Sequence, residues 1–318
     1  MARPGVRLLL LNATFLNALL AAAPEPAMHF ETVMVPALSI HVEWRRIKTT
    51  SGEIARKLLN TMSEPISLDD LWNLTAVGLQ AFDPTRLSGI TEGARHYLGH
   101  AIAVGTPLAS AVRLKMHGEI KLKDWYPFTA EQVICWNRGM IWRASARMYG
   151  MSIRGSDRLL EDQQRSGWRG AMLWKLFGIV PVMNASGPDI ARSGAGRVNI
   201  EAASWLPSVL CGDQVSWTAV PSADAAHLHA QVTGHGETSQ IDFLLDAEAR
   251  LKSMCMPRWG NPDGAFKYEQ FGGLVDAEGT FGGYTIPTRM RIGWFFGTDR
   301  FEPVGEFFRV TVDDAIYR

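Results

Sequence analysis

The chain has 318 residues, 47% of them apolar and 20% charged, and its 32 basic side chains are balanced by 32 acidic ones. It is therefore too apolar for a disordered polymer and long enough to bury a substantial core. A neutral balance argues against nucleic-acid binding by bulk charge, and three widely spaced cysteines, Cys135, Cys211 and Cys255, argue against a disulfide framework or a Cys-based zinc site.

Residues 1–27 open with Arg3 and Arg7 before the apolar run LLLLNATFLNALLAAA. The pattern resembles a secretory signal, but Asn12 and Asn17 interrupt the run and Pro24 follows Ala23 closely. Its roughly 16 residues also fall short of the about 20 a spanning helix needs. A signal or anchor, with membrane association through the N-terminus, and a buried segment both stay open, and so does the choice between an exported and a cytoplasmic location. Residues 28–85 read as helical and irregular: Ser51 can cap GEIARKLLNT, and Ser67 with Asp70 makes a capping-box pattern before LWNL. Thr91 before EGARHYLGHAI predicts a further helix over 91–102.

From residue 111 the apolar period changes from helical to two. In VRLKMHGEIKLK (112–123), Val112, Leu114, Met116, Ile120 and Leu122 fall on one side of a strand and a charged set on the other. Asp124 to Pro127 reads as a turn. Gln132–Trp136 and Met140 onward read as a hairpin around Asn137-Arg138-Gly139. Strands are expected again at 170–177 and 180–183. A helix follows over 187–206, with Pro188 in its first turn and Pro207 ending it. Further strands are expected at 214–220, 226–233, 240–245, 250–256, 265–271, 286–296 and 305–313. Short links imply antiparallel pairing. About ten strands and one central helix predict an α+β fold: a curved antiparallel sheet or half-open barrel, residues 86–318, with the helix on its concave face and a helical N-terminal segment before it.

The succession WYPFTAEQ (125–132), GMIWRA (139–144), GSDR (155–158), GAMLWKLFGIVPV (170–182), EAASWLPSVL (201–210) and GYTIPTRMRIGW (283–294) resembles an uncharacterised bacterial family, the domain of unknown function 6544 type. The likeness runs from about residue 86 to the C-terminus. It implies a half-open antiparallel sheet wrapped on a helix, similar in architecture to periplasmic lipoprotein carriers, and it carries over no catalytic residue.

Candidate chemistry is sparse. His227 and His229 share a strand face with His235 nearby. However, Ala226, Leu228, Ala230 and Val232 mark the opposite face as the core side, so a solvated outer face is preferred to a metal site. Glu201, one turn before Trp205, could act as a general acid or base. Pairing with Arg143 or Arg147 is preferred, since buried charges persist when paired. Asp157-Arg158 after Gly155 reads as turn chemistry, with a ligand clamp as the sharper alternative. The glycine runs SGAGR (193–197) and FGG (271–273 and 281–283) lack the βαβ context of a dinucleotide site, and no G-x-S-x-G is present.

Trp125, Trp136, Trp142, Trp168, Trp174, Trp205, Trp217, Trp259 and Trp294 spread over nearly every β element. Such rings fill cores and also suit cavity walls that offer an N–H. One helix covers a wide curved sheet poorly, so either the sheet closes as a barrel or part of its concave face is left for a ligand. The function expected is thus a non-catalytic binding or carrier module for an apolar or amphipathic small ligand, lipid included, with no cofactor and no metal. Its binding residues are expected at Trp142, Arg143, Met148, Trp174, Glu201 and Trp205, with Trp205 inserted among Met140, Trp142 and Met148. An enzyme, hydrolase or isomerase, working through Glu201 is the alternative, and a structural envelope protein is a third.

Overall fold

The structure, a computed structural model, describes residues 66–318 other than 76–77, 79, 88, 163–165 and 220–226. The signal or anchor at 1–27, the membrane association it implied, the helix capped by Ser51 and most of the 28–85 region lie outside the described residues. Among the described residues no helix is long and apolar enough to cross a membrane.

Helix α1 (Leu68–Asn73) starts where the sequence says it should. Ser67 Oγ accepts from the Asp70 amide, and the Asp70 carboxylate accepts from the Ser67 amide. Helix α2 (Glu92–Ala101) is capped by Thr91 and buries Ala94, Tyr97, Leu98 and Ala101.

Strand β1 (Ala111–Lys121) buries Val112, Leu114 and Met116 and exposes Lys115 and His117, as its alternation requires. The next strands run β2 (Trp125–Cys135), β3 (Gly139–Met148), β4 (Met151–Glu161), β5 (Trp168–Leu176) and β6 (Val180–Ser186). Helix α3 (Pro188–Trp205) interrupts them. Beyond it come β7 (Val215–Ala219), β8 (His227–Gly234), β9 (Glu237–Leu245), β10 (Leu251–Gly260), β11 (Lys267–Phe281), β12 (Tyr284–Trp294) and β13 (Glu306–Tyr317). All thirteen join one antiparallel sheet in the order β6-β5-β4-β3-β2-β1-β13-β12-β11-β10-β9-β8-β7.

The sheet order and the position of α3 together require strong curvature. Helix α3 packs on β5 at one arm and on β9 at the other. Those strands are nine places apart in the order, about 43 Å along a flat sheet at ~4.8 Å per strand, whereas a helix with its side chains is about 10 Å across. The sheet therefore wraps the helix, which lies on its concave face. Approach is close enough that a Cβ on Gly170 of β5 would sit 2.5 Å from the Ala191 amide nitrogen of α3.

At one end the wrap is closed by the β8–β9 turn. His235 lies at φ 59 ahead of Gly236 at φ 78, and its buried ring packs 4.8 Å from Trp136 and 4.6 Å from Trp168. The main core fills the space between α2, α3 and the concave face. A smaller cluster, Leu68 and Leu71 with Ala111, Val133, Cys135 and Ile141, holds α1 against the other face of β1–β3.

The segments expected as strands account for twelve of the thirteen, more than the round figure of ten; the strand missed is β4, and β2 starts earlier than expected. Trp125–Pro127 begins β2, and Gly155-Ser156-Asp157-Arg158 is the middle of β4. Gly155 is there for close approach: a Cβ at that position would fall inside the Trp174 ring on the neighbouring strand. The first FGG run lies inside β11, and the second joins β11 to β12.

Candidate functional site

Between α3 and the middle of the sheet lies a cavity of about 270 Å³. Its walls come from Met140 and Trp142 on β3, Trp174 on β5, Met290 and Trp294 on β12 and Phe308 on β13, with Ile190, Ile200 and Trp205 of α3 opposite. Ile120, at the far end of the dry side of β1, and Leu122 just past the strand also line it. The near end of that side, Val112 to Met116, belongs to the filled core. The strand thus meets core at one end and cavity at the other.

One side of the cavity carries a buried charge cluster. Arg197 projects from α3 and donates from Nε to Glu201 Oε1 at 2.7 Å and from Nη1 to Asp157 Oδ2 at 2.8 Å. The Trp174 indole N–H donates to the other Asp157 oxygen at 3.0 Å, and Gln132 Nε2 donates to Glu201 Oε2 at 2.5 Å. Burial raises the Asp157 pKa against the opposing pull of Arg197. Burial also works against the Arg197 charge, but Glu201 and Asp157 outweigh it and hold the guanidinium protonated. The Arg197 guanidinium stands 5.2 Å from the Trp142 ring centre. Trp142 itself keeps a buried indole N–H with no hydrogen-bond partner.

A second arginine enters from β10. Arg258 is 9% exposed and donates from Nε and Nη2 to the Ser193 carbonyl at 3.2 Å, and from Nη2 to Ser193 Oγ at 3.3 Å. It sits 4.5 Å from the Phe271 ring centre and 5.1 Å from that of Trp294. Burial, aided by the charge of Arg197, lowers its pKa to about 9.

Of the residues expected at the site, Trp142, Trp174, Glu201 and Trp205 line this cavity. Met148 is buried in the core near the end of β3, outside the lining. Arg143 points to the outer face, where it is exposed and lies 3.8 Å from Glu131. The pairing expected for Glu201 is accordingly corrected: its partner is Arg197, one turn earlier on the same helix, because Arg143 and Arg147 face away. Trp205 is buried, and its N–H donates to the Pro287 carbonyl on β12 at 3.1 Å; it lines the cavity together with Met140 and Trp142, whereas Met148 does not.

Arg197 and Arg258 were not expected in this role, and Asp157 was weighed only with Arg158 as a ligand clamp against the preferred turn reading. An R-x-x-x-E spacing at 197–201 was the available signal, since it puts the two side chains together on one helical face. His229 sits on the outer face between Asp242 and Gln240, each 2.7 Å away. Among the described residues no three His, Cys, Asp or Glu side chains converge.

Among solved structures, a putative outer membrane lipoprotein-sorting protein domain from Vibrio parahaemolyticus is similar at 8% identity and TM-score 0.32, covering 66% of this chain and 86% of that one. A LolA superfamily protein from Nitrosomonas europaea is similar at 12% identity and TM-score 0.34, covering 71% of this chain and 93% of that one. No curated protein matches the chain. A family model does match, over residues 91–317, and it corrects the family number of the resemblance from 6544 to 6920. The chain belongs to DUF6920, a family of unknown function.

Proposed function

We propose that the protein binds and carries an apolar or amphipathic small molecule, lipid included, in the cavity between α3 and the sheet. The observation that supports this is the cavity itself: about 270 Å³ walled mainly by Trp, Phe, Met and Ile side chains. An engineered apolar cavity of about 150 Å³ already takes benzene. A ligand here would bury its apolar length against the rings while a few polar groups fix its orientation. Trp142, Trp174, Glu201 and Trp205 are the binding residues we retain, joined by Trp294, Arg197 and Arg258.

The enzymatic alternative loses its main support in this geometry. Glu201 is held by Arg197 and Gln132, one on each carboxylate oxygen, and the Arg197 pairing favours its charged form over a proton-donating one. A purely structural role leaves the cavity without a purpose.

Native mass spectrometry of gently purified full-length protein, with solvent extraction of whatever is bound, tests the carrier reading. Adducts of small amphiphiles are expected. The tryptophans in the wall should also change their emission when dodecyl-chain amphiphiles are titrated in. Protein that carries no adduct and whose tryptophan emission ignores every added amphiphile would overturn the proposal.

A further inference from the structure

The four positively charged side chains among the cavity-lining residues are not equivalent. Arg197 is neutralised by two carboxylates. Arg158 alternates outward from β4 and is held by Ser156 and the Ile66 carbonyl, and the Lys121 ammonium is held by the Pro303 carbonyl. Arg258 alone is nine-tenths buried, and no carboxylate lies within ion-pair distance of it among the described residues. A guanidinium has five N–H donors in a planar fork suited to a carboxylate or a phosphate. Ser193 engages only Nε and Nη2 of Arg258, which leaves Nη1 with no hydrogen bond among the described residues.

Burying an unpaired charge is costly, and proteins rarely keep one unless something arrives to pair with it. The lowered pKa of Arg258 is the mark of that cost. The nearest formal charges do not supply the missing partner. Asp157 and Glu201 both feel Arg258, but each is already bonded to Arg197. A second unmet donor, the buried Trp142 N–H, lines the same cavity. Every unmet polar group found there is a donor, so the complementary ligand group is an acceptor, and the unpaired cation makes it an anionic one.

We propose that the ligand of this cavity is an amphiphile with an anionic head, a carboxylate or a phosphate. Its head oxygens pair with Arg258, and its apolar chain lies against Phe271, Met290, Ile292 and Trp294. This rests on the carrier reading and narrows it to a ligand class. The opposite polarity, a cationic head against Asp157 and Glu201, is disfavoured because Arg197 already occupies both.

The test is a binding series on the full chain with four dodecyl amphiphiles, read by tryptophan emission and calorimetry below their micelle concentrations. Dodecanoate and dodecyl phosphate carry the two candidate heads, dodecyl maltoside a neutral one, and dodecyltrimethylammonium a cationic one. The anionic pair is expected to bind at least about tenfold tighter than the other two, and the better of the pair identifies the head. Arg258→Gln should bring the anionic ligands down to the level of the neutral one, abolishing the ratio between them whatever it costs binding in general. Arg258→Lys, which keeps the charge and lacks the fork, should retain a reduced anion preference.

Equal affinity for all four in the parent protein would overturn the anionic head and leave the carrier reading standing. An undiminished anion preference in Arg258→Gln would overturn the role of Arg258. Binding of none of the four would overturn both. Should Arg258→Gln fail to fold, the parent selectivity and Arg258→Lys still decide.

Discussion

Arg197 on α3 and Asp157 on β4 are joined at 2.8 Å, and this ion pair ties the helix to the arm of the sheet that it covers. The same guanidinium holds Glu201, so one side chain compensates two buried carboxylates. Removing it leaves both uncompensated. Arg197→Ala is expected to destabilise the fold by about 3–5 kcal/mol in urea denaturation, whereas Arg197→Met with Asp157→Asn and Glu201→Gln should recover most of that loss. A single variant as stable as the parent would mean that the cluster is solvated.

Trp205 anchors the other end of α3. It is 2% exposed, its N–H reaches the Pro287 carbonyl, and its own carbonyl accepts from the Tyr317 hydroxyl. Trp205→Ala should cost about 3–5 kcal/mol from lost burial and the cavity left behind. Trp205→Phe should cost about 1–2 kcal/mol, the smaller part that belongs to the unpaired Pro287 carbonyl and the lost ring area. Equilibrium unfolding of the two variants separates packing from the hydrogen bond.

His229 provides the contrast on the outer face. Its bonds to Asp242 and Gln240 connect β8 to β9 where all three side chains meet water. His229→Ala should change stability by less than about 1 kcal/mol. A larger loss in the same denaturation assay would show that this face is covered.

What was readable in the sequence, and what was not, follows from where charge is buried. The alternation of β1, the Ser67 and Thr91 caps and Pro188 at the first turn of α3 are local signals, and local geometry decides them. β4 was hidden because MSIRGSDRLLE breaks alternation at its centre. Gly155 yields its side-chain space to Trp174, and the inward position two residues later is Asp157 rather than an apolar residue. Only the later placement of Arg197, forty residues on, makes a buried Asp157 tolerable. Arg258 was hidden for the same reason: Met256 and Arg258 both point inward from β10, and polarity alone assigns the arginine to water. The outward direction of Arg143 and Arg147 was legible, but the true partner of Glu201 lay four residues upstream on its own helix.

His235 makes stability depend on pH. Its pKa is lowered by burial from 6.5 to about 4, with the Trp136 carbonyl pulling weakly the other way. The folded state therefore disfavours the protonated ring that the unfolded chain takes up. The contribution is fully present above pH 6.5, shrinks as pH falls through the window from 6.5 to 4, and is constant below it, a loss of about 3 kcal/mol in all. Asp157, whose pKa burial raises above the ordinary carboxylate value, works in the opposite sense. His235→Asn suits the φ of 59 at this turn and removes the titration. The parent should lose stability relative to that variant between pH 6.5 and 4, and parallel pH–stability curves for the two would refute the buried neutral imidazole.

Filling the cavity separates binding from folding most directly. Ile292 on β12 shares the inward face with Met290 and Trp294, lines the cavity and is only partly buried, so a larger apolar side chain there can extend into open space rather than into packed atoms. Ile292→Phe and Ile292→Trp are expected to keep the melting temperature within a few degrees of the parent, since each buries more apolar area than it gives up. Both should weaken amphiphile binding, the tryptophan by more than about tenfold, in the order of added volume. That pairing of intact stability with graded loss of binding is what an occupied cavity requires. If the variants lose binding only in proportion to lost stability, the amphiphile sits elsewhere on the protein; if they fold and bind like the parent, the space beneath α3 is not where the ligand goes.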